Sequence, residues 1–246
     1  QEHELLQMQL EYYKQQADYY SRISGSQQVG TGLMGQSSIN IVAVSQVETG
    51  PFQTSYVGTV MVAEVELRRG EGRVLVNTVP RIGIDLQTSG RTAVLIAQNI
   101  TGVSLDRTDV ILTVKAETTV DVVDGPSAGA AVTLAMIAAV WNHTLKRSIF
   151  MTGTVKTDGT VGAVGGIPYK ALAAAQEGGT TFIVPKGQSV VAQTVARESQ
   201  PIPGLTLVRY EQIQVKLSDL LKQEGFNVRV VEVTSILEAY NIFRFG

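Results

Sequence analysis

Apolar and polar positions along this chain change period several times, and the changes mark out its elements. Residues 1–24 are rich in Gln, Glu and Tyr, with Leu6, Met8, Leu10, Tyr12, Tyr13, Tyr19 and Tyr20 too dense and uneven for a clean heptad. They read as a helix that packs on a partner or on the body of the protein, or as a solvated helical tail. Residues 25–38, of Gly, Ser and Gln, read as a mobile linker. Period two then takes over. Ile39–Val47 and Tyr56–Leu67 are predicted strands, followed by a short one at Val74–Val76 after the Gly70–Gly72 turn. Asp85 is placed to cap a helix over Leu86–Ile100. Val110–Lys115 alternates as a strand, and Pro126–Trp141 reads as a buried helix. Ser148–Thr154 and Thr160–Val164 are strands joined through the Asp158–Gly159 turn. Pro168–Glu177 is a helix closed by Gly178–Gly179, and Thr181–Val184 an apolar strand. Beyond it, Ser189–Glu198 reads as a helix broken by Pro201, Pro203 and Gly204. Leu205–Tyr210 reads as a strand, and Gln212–Gln223 as a helix with Val215, Leu217, Leu220 and Leu221 on its apolar side. Val228–Val233 is a strand, and Ser235 caps a last helix, Ile236–Phe243. The mixture does not alternate regularly, which predicts an α+β fold. No internal repeat is visible.

Composition narrows the chemistry. Of 246 residues, 44% are hydrophobic and 17% charged, enough for a folded core. The net charge of −2 and the lack of a long basic run leave no nucleic-acid footprint. There are no cysteines, so disulfides, thiolate metal sites and cysteine nucleophiles are excluded. Two histidines, His3 and His143, make a histidine-rich metal site implausible. The longest apolar run, Ala128–Trp141, falls short of the roughly 20 residues that span a bilayer. The first residue is Gln1, which leaves room for a removed signal or anchor. Localisation is therefore open between the cytoplasm and a membrane-associated or extracytoplasmic site.

The most unusual segment is Asp124-Gly125-Pro126-Ser127-Ala128-Gly129, running straight into an apolar helix. Pro126 suits a first helical turn, and Ser127 would then sit among backbone N–H groups that have no intrahelical partner. Such donors are what an acyl-transfer transition state needs beside a nucleophile. Ser127 could equally be a simple cap. A phosphate cradle is a third reading, although no P-loop motif occurs in the chain. A serine nucleophile needs a base. His143 lies roughly 24 Å along the same helix, out of reach, and more naturally caps the helix end. His3 is in the N-terminal tail. Lysine remains, a known variant of triad logic. Lys170 has the best surroundings, in a helix start after Pro168 and ahead of Ala171, Leu172, Ala173, Ala174 and Ala175. Burial and a helix N-terminus both disfavour an ammonium and lower its pKa. Lys14, Lys146, Lys156, Lys216 and Lys222 read as ordinary solvated charges.

These residues resemble a known family. DGPSAG with its Ala-rich helix, Met151-Thr152-Gly153, Val164-Gly165-Gly166-Ile167, a lysine, and an Ala-rich helix ending in Gly-Gly are similar to the proteolytic domain of Lon proteases. The resemblance covers roughly residues 39–187, and 228–243 more weakly. It implies a Ser127–Lys170 dyad and peptide-bond hydrolysis through an acyl-enzyme. It implies that Thr152 hydrogen-bonds near the lysine and that Asp124 pairs with its ammonium. Backbone at Ser127 and Ala128 would form the oxyanion hole. No cofactor and no metal are implied, and the partners are unfolded proteins or peptides. Lon-type domains often assemble as homo-oligomers, including hexameric rings. Residues 1–38 are too short for the ATPase module of full-length Lon proteases, which makes the chain similar to ATP-independent Lon-like proteins of archaea and some bacteria. A missing N-terminal segment would leave room for membrane association. Tyr169 stands where many Lon proteins carry a charged residue. The expected organisation is a helix and linker over 1–38 and a proteolytic domain over 39–246, with an insertion at about 188–227 that shapes access, binds partners or thickens the fold. Two other classes stay in view. One is a non-catalytic or latent Lon-like assembly module. The other is a GHMP-type small-molecule kinase, for which DGPSAG lacks the longer Gly-Ser-Ser run.

Overall fold

The computed structural model describes residues 2–25, 32–50, 53–78, 81–82, 84–116, 122–123, 126–202 and 205–245. In chain order the elements are α1 (Glu2–Gly25), β1 (Leu33–Gly50), β2 (Gln53–Arg69), β3 (Val74–Thr78), β4 (Arg81–Ile82), α2 (Ile84–Thr101), β5 (Thr108–Ala116) and β6 (Val122–Val123). A 3-10 turn, Pro126–Ala128, then leads into α3 (Gly129–Trp141). There follow β7 (Ile149–Met151), β8 (Thr154–Val155), β9 (Val161–Gly162), α4 (Ile167–Gln176), β10 (Thr181–Pro185), β11 (Val190–Ile202), β12 (Leu205–Lys216), α5 (Leu217–Gln223), β13 (Arg229–Val233) and α6 (Ile236–Phe245). The fold is α+β, as the mixed periodicity predicts.

The larger sheet has the order β1-β2-β5-β3. β1 and β2 form one long antiparallel hairpin, β5 adds antiparallel to β2, and β3 lies parallel to β5. Alternation places Ile41, Ala63, Val65, Leu67, Leu112 and Val114 on one face, all fully buried. Burial of the Val, Leu and Ile side chains among them is worth about 1.5–3 kcal/mol each. The opposite face carries Glu64 and Lys115, whose charged groups meet at 2.7 Å. That exposed pair is worth about 0–1 kcal/mol.

α3 lies on the buried face. Every residue from Gly129 to Val140 is buried, which a helix without a polar side can satisfy only inside a core. Gly35 of β1 makes this approach possible, because a Cβ there would run into the carbonyl of Ala139. At the far end Asn142 adopts a left-handed conformation (φ 52°), and the His143 N–H bonds to the Ala138 carbonyl at 2.8 Å. His143 thus helps close the helix, and its Nδ1 meets the Tyr240 hydroxyl at 2.6 Å. The second sheet, β13-β10-β7, is parallel. Phe150, Phe182 and Val184 from its strands pack with Ala171, Ala174, Leu217 and Leu221 from α4 and α5 in a second core cluster.

α1 docks on the body of the protein. Tyr12 is 2% exposed with its hydroxyl 3.2 Å from Thr108 Oγ1, Gln9 Nε2 donates to the Thr101 carbonyl at 2.7 Å, and Arg244 meets Glu4 at 3.4 Å.

Several elements differ from their predictions. β1 starts at Leu33, so 33–38 are strand and not linker. Residues 26–31 of the expected linker lie outside the described residues. Ser148–Thr154 is two short strands, because the chain turns away at Thr152–Gly153. Ser189–Glu198 is not a helix but most of β11, and Gln212–Lys216 extends β12 before α5 begins at Leu217. The physical reason is in the side chains. Val190, Val191, Thr194 and Val195 are β-branched, and Gln212–Val215 pair across from Val191–Thr194. Pro201 lies within β11 and does not interrupt a helix, while Pro203 and Gly204 lie outside the described residues. Asp85 sits inside the first turn of α2, two residues later than the cap position.

Candidate functional site

The 3-10 turn places Ser127 at the mouth of the buried helix. The turn is stitched to the segment after β7. Gly153 N–H donates to the Ser127 carbonyl at 3.0 Å, and Ala130 N–H donates back to the Gly153 carbonyl at 3.1 Å. Thr152 Oγ1 reaches the same Ser127 carbonyl at 3.4 Å, and Thr152 N–H bonds to the Ile183 carbonyl of β10 at 3.1 Å. Thr152 is fully buried, and its backbone and hydroxyl tie the second sheet, at β10, to the serine's turn. Gly129 lets α2 approach: a Cβ at that position would lie 3.3 Å from Ser89 Oγ. Ser127 itself is half-buried. The expected α-helical first turn is a 3-10 turn instead, and the Ala130 N–H is already occupied by Gly153. Asp124 and Gly125 lie outside the described residues.

Lys170 is placed by α4. Gly166 precedes the helix in a left-handed conformation (φ 68°), and the Lys170 N–H closes the first intrahelical bond to its carbonyl at 3.1 Å. Lys170 therefore completes the first turn and does not offer a free N–H. β1 and β2 hold this helix start. A Cβ on Gly166 would lie 2.7 Å from Val44 Cγ2, and a Cβ on Gly58 would run into the Tyr169 carbonyl. From the other side Gln188 clamps the incoming loop. It accepts from the Val164 N–H at 3.0 Å and donates to the Val164 carbonyl at 2.8 Å. Gly58 and Gln188 were not singled out by sequence reasoning. A glycine amid strand alternation was the one visible signal for the first, and nothing local marks the second.

The Lys170 side chain is 4% exposed. Burial alone pulls its pKa down from 10.5 to about 8, with no charged neighbour contributing. The helix start invoked from the sequence is not among the causes. Among the described residues no carboxylate pairs with Lys170, and no hydrogen bond joins its Nζ to Ser127 Oγ. β1 packs against both the serine's turn and α4. The structure thus joins Thr152 to Ser127 and sets Lys170 on the same strand's other contact, without closing the Ser–Lys bond. Tyr169, half-exposed, stacks at a tilt on Tyr56 with ring centroids 5.8 Å apart. His143, at the opposite end of α3, is remote from Ser127. No group of three or more His, Cys, Asp or Glu side chains suited to a metal exists among the described residues.

Comparison with known proteins matches residues 26–222 to the Lon protease (S16) C-terminal proteolytic domain. The Lon protease of Dictyoglomus thermophilum is 31% identical over 206 residues, covering 81% of this chain and 24% of the relative. That of Phenylobacterium zucineum is 27% identical over 197 residues, covering 78% and 24%. The Lon protease of Elusimicrobium minutum is 30% identical over 165 residues, covering 64% and 19%. The chain spans about a quarter or less of the length of these relatives. The matched span includes the serine's turn, the Thr152 segment, α4 with Lys170 and both strands β11 and β12, and on that coverage the chain belongs to the Lon protease (S16) C-terminal proteolytic domain family.

Proposed function

We propose that the chain is a serine endopeptidase that hydrolyses unfolded proteins or peptides without nucleotide, with Ser127 as nucleophile and Lys170 as general base. The observation that carries this reading is a buried lysine with no carboxylate partner among the described residues and a pKa lowered by burial to about 8. A pKa near 8 leaves about a tenth of Lys170 neutral at pH 7, enough to accept a proton. The neutral Nζ takes the Ser127 Oγ proton as Oγ adds to the scissile carbonyl. Backbone N–H groups at Ser127 and Ala128 stabilise the oxyanion. The Lys170 ammonium then protonates the departing amine, and water attacks the acyl-enzyme with Lys170 again as base. Thr152 positions the serine's turn, and Asp124, which lies outside the described residues, would meet the ammonium only as it forms during the reaction. The step needs no metal or nucleotide, and the chain contains no P-loop motif. The β11–β12 hairpin is a two-stranded insertion that frames access to the Lys170 loop through Gln188.

The test is degradation of a permanently unfolded protein without nucleotide by the wild type, Ser127→Ala and Lys170→Met. Loss of cleavage in both variants is expected, with activity rising through about pH 8. Cleavage that survives in either variant overturns the dyad. A second reading, a latent domain, draws on the missing Ser127 Oγ–Lys170 Nζ hydrogen bond. It predicts that a serine-reactive phosphonate fails to label Ser127 in the free protein, whereas the resting-active reading predicts labelling that Lys170→Met removes.

A further inference from the structure

The described apolar side chains of α1, too dense for one heptad, separate once folded into two faces. One is turned to the body through Gln9 and Tyr12. The other carries Leu6, Leu10, Tyr13 and Ala17, spaced four, three and four. Leu6 is 57% exposed, Leu10 55% and Tyr13 46%, and Ala17 is exposed as well. That spacing is the seam along which two α-helices interdigitate. The bonds from Gln9, Tyr12 and Glu4 hold the helix with this seam facing solvent.

We propose that the seam pairs α1 with α1 of a second copy of this chain, antiparallel, about a two-fold axis between Leu10 and Tyr13. Side-chain size selects this arrangement. Antiparallel pairing sets Leu10 against Tyr13 of the second copy and Leu6 against its Ala17, so large and small residues alternate across the layers. Parallel pairing would set Tyr13 on Tyr13 and leave a gap between two alanines. Charge agrees. The flanking positions are Gln7, Gln9, Lys14 and Gln16, and the antiparallel register brings Lys14 to Gln7, so no like charges meet. A lipid surface is the poorer occupant, because the charged residues of α1, Glu2, Glu4, Glu11 and Asp18 against Lys14 and Arg22, are two acidic to one basic, whereas interfacial helices are rich in Lys and Arg. Such an isologous contact closes on itself and yields pairs, not fibres.

The seam is short, so the contact is weak and is read at high protein concentration, about 100 µM. Light scattering of the full chain should show the mass fall by a factor of two on Leu10→Lys, with the circular dichroism unchanged because Leu10 is exposed. An unchanged mass overturns the proposal. The chain has no cysteine, so cross-links are site-specific. Oxidised Leu6→Cys/Ala17→Cys should run as a covalent dimer. Leu6→Cys alone should not, since an antiparallel pair holds the two copies of residue 6 about 16 Å apart along the axis. Failure of the double variant to cross-link, or equal cross-linking by the single one, overturns it. None of these readouts uses activity, so the peptidase proposal can fail without touching this one.

Discussion

Replacing Lys170 with methionine should make the protein inactive and, at neutral pH, more stable. Methionine is unbranched, of similar length and uncharged, so it fills the pocket and removes only the ammonium. The native chain carries that ammonium at a cost. Its pKa is about 8 when folded against 10.5 in ordinary surroundings, and the unfolded chain has the higher value. Below pH 8 both states are protonated and the folded state bears the full penalty of the buried charge. Between about 8 and 10.5 the unfolded chain holds a proton that the folded chain has shed, so stability rises with pH through that window. At about 1.36 kcal/mol per pH unit the penalty comes to about 3 kcal/mol, an upper value because water near the Nζ screens it. Urea unfolding of wild type and Lys170→Met, followed by the fluorescence of Trp141, measures the difference at pH 7 and again at pH 10. The variant should lead by up to about 3 kcal/mol at pH 7, and the lead should shrink by pH 10. A variant less stable than the wild type at pH 7, with a difference that does not change between the two pH values, would refute the apolar, unpaired pocket on which the base assignment rests. Lys170→Arg, whose guanidinium stays charged, should be destabilised at both pH values.

Other substitutions probe the supports of the α4 start and the turn before β3. Gly58→Val puts side-chain atoms against the Tyr169 carbonyl, where backbone must give way. It should cost about 1–3 kcal/mol by overpacking and depress kcat more than KM, read by thermal unfolding and peptide hydrolysis. Gln188→Ala removes both bonds to Val164 and should cost about 1–3 kcal/mol, with a kcat loss that Gln188→Glu, which keeps only the acceptor, partly restores. Asp109 accepts the Glu71 and Arg73 N–H groups at 2.8 and 3.0 Å and the Arg73 guanidinium at 2.7 and 3.1 Å, and these bonds hold its pKa down to about 2. Its stabilisation is complete above the ordinary carboxylate range and lost as pH falls through about 2, so Asp109→Asn should flatten the acid limb of the stability profile.

Much of this protein was legible in one dimension because the relevant physics is local. The strands at Ile39–Val47, Tyr56–Leu67 and Val110–Lys115 declare themselves by period two. The uniformly apolar run after Ser127 has nowhere to go but a core. Pro126, Pro168 and Gly178 punctuate helices through their own backbone limits. The order of DGPSAG, Thr152 and Lys170 along the chain was enough to suggest the family and the residues that would carry its chemistry. Tertiary structure decided what depends on partners distant in sequence. Ser189–Glu198 became a strand because Gln212–Val215 lay ready to pair with it, and no window of ten residues contains that information. The crowded stripe of α1 became two faces only when Thr101 and Thr108 took one of them. The lowered pKa of Lys170 was expected in direction from its apolar neighbours in the chain. Its cause is burial, with strands β1 and β2 seating the start of α4, and Gly58, more than a hundred residues away, makes room for that start. Propensity and periodicity act over one or two turns, whereas burial and desolvation are set by whatever the rest of the chain brings alongside.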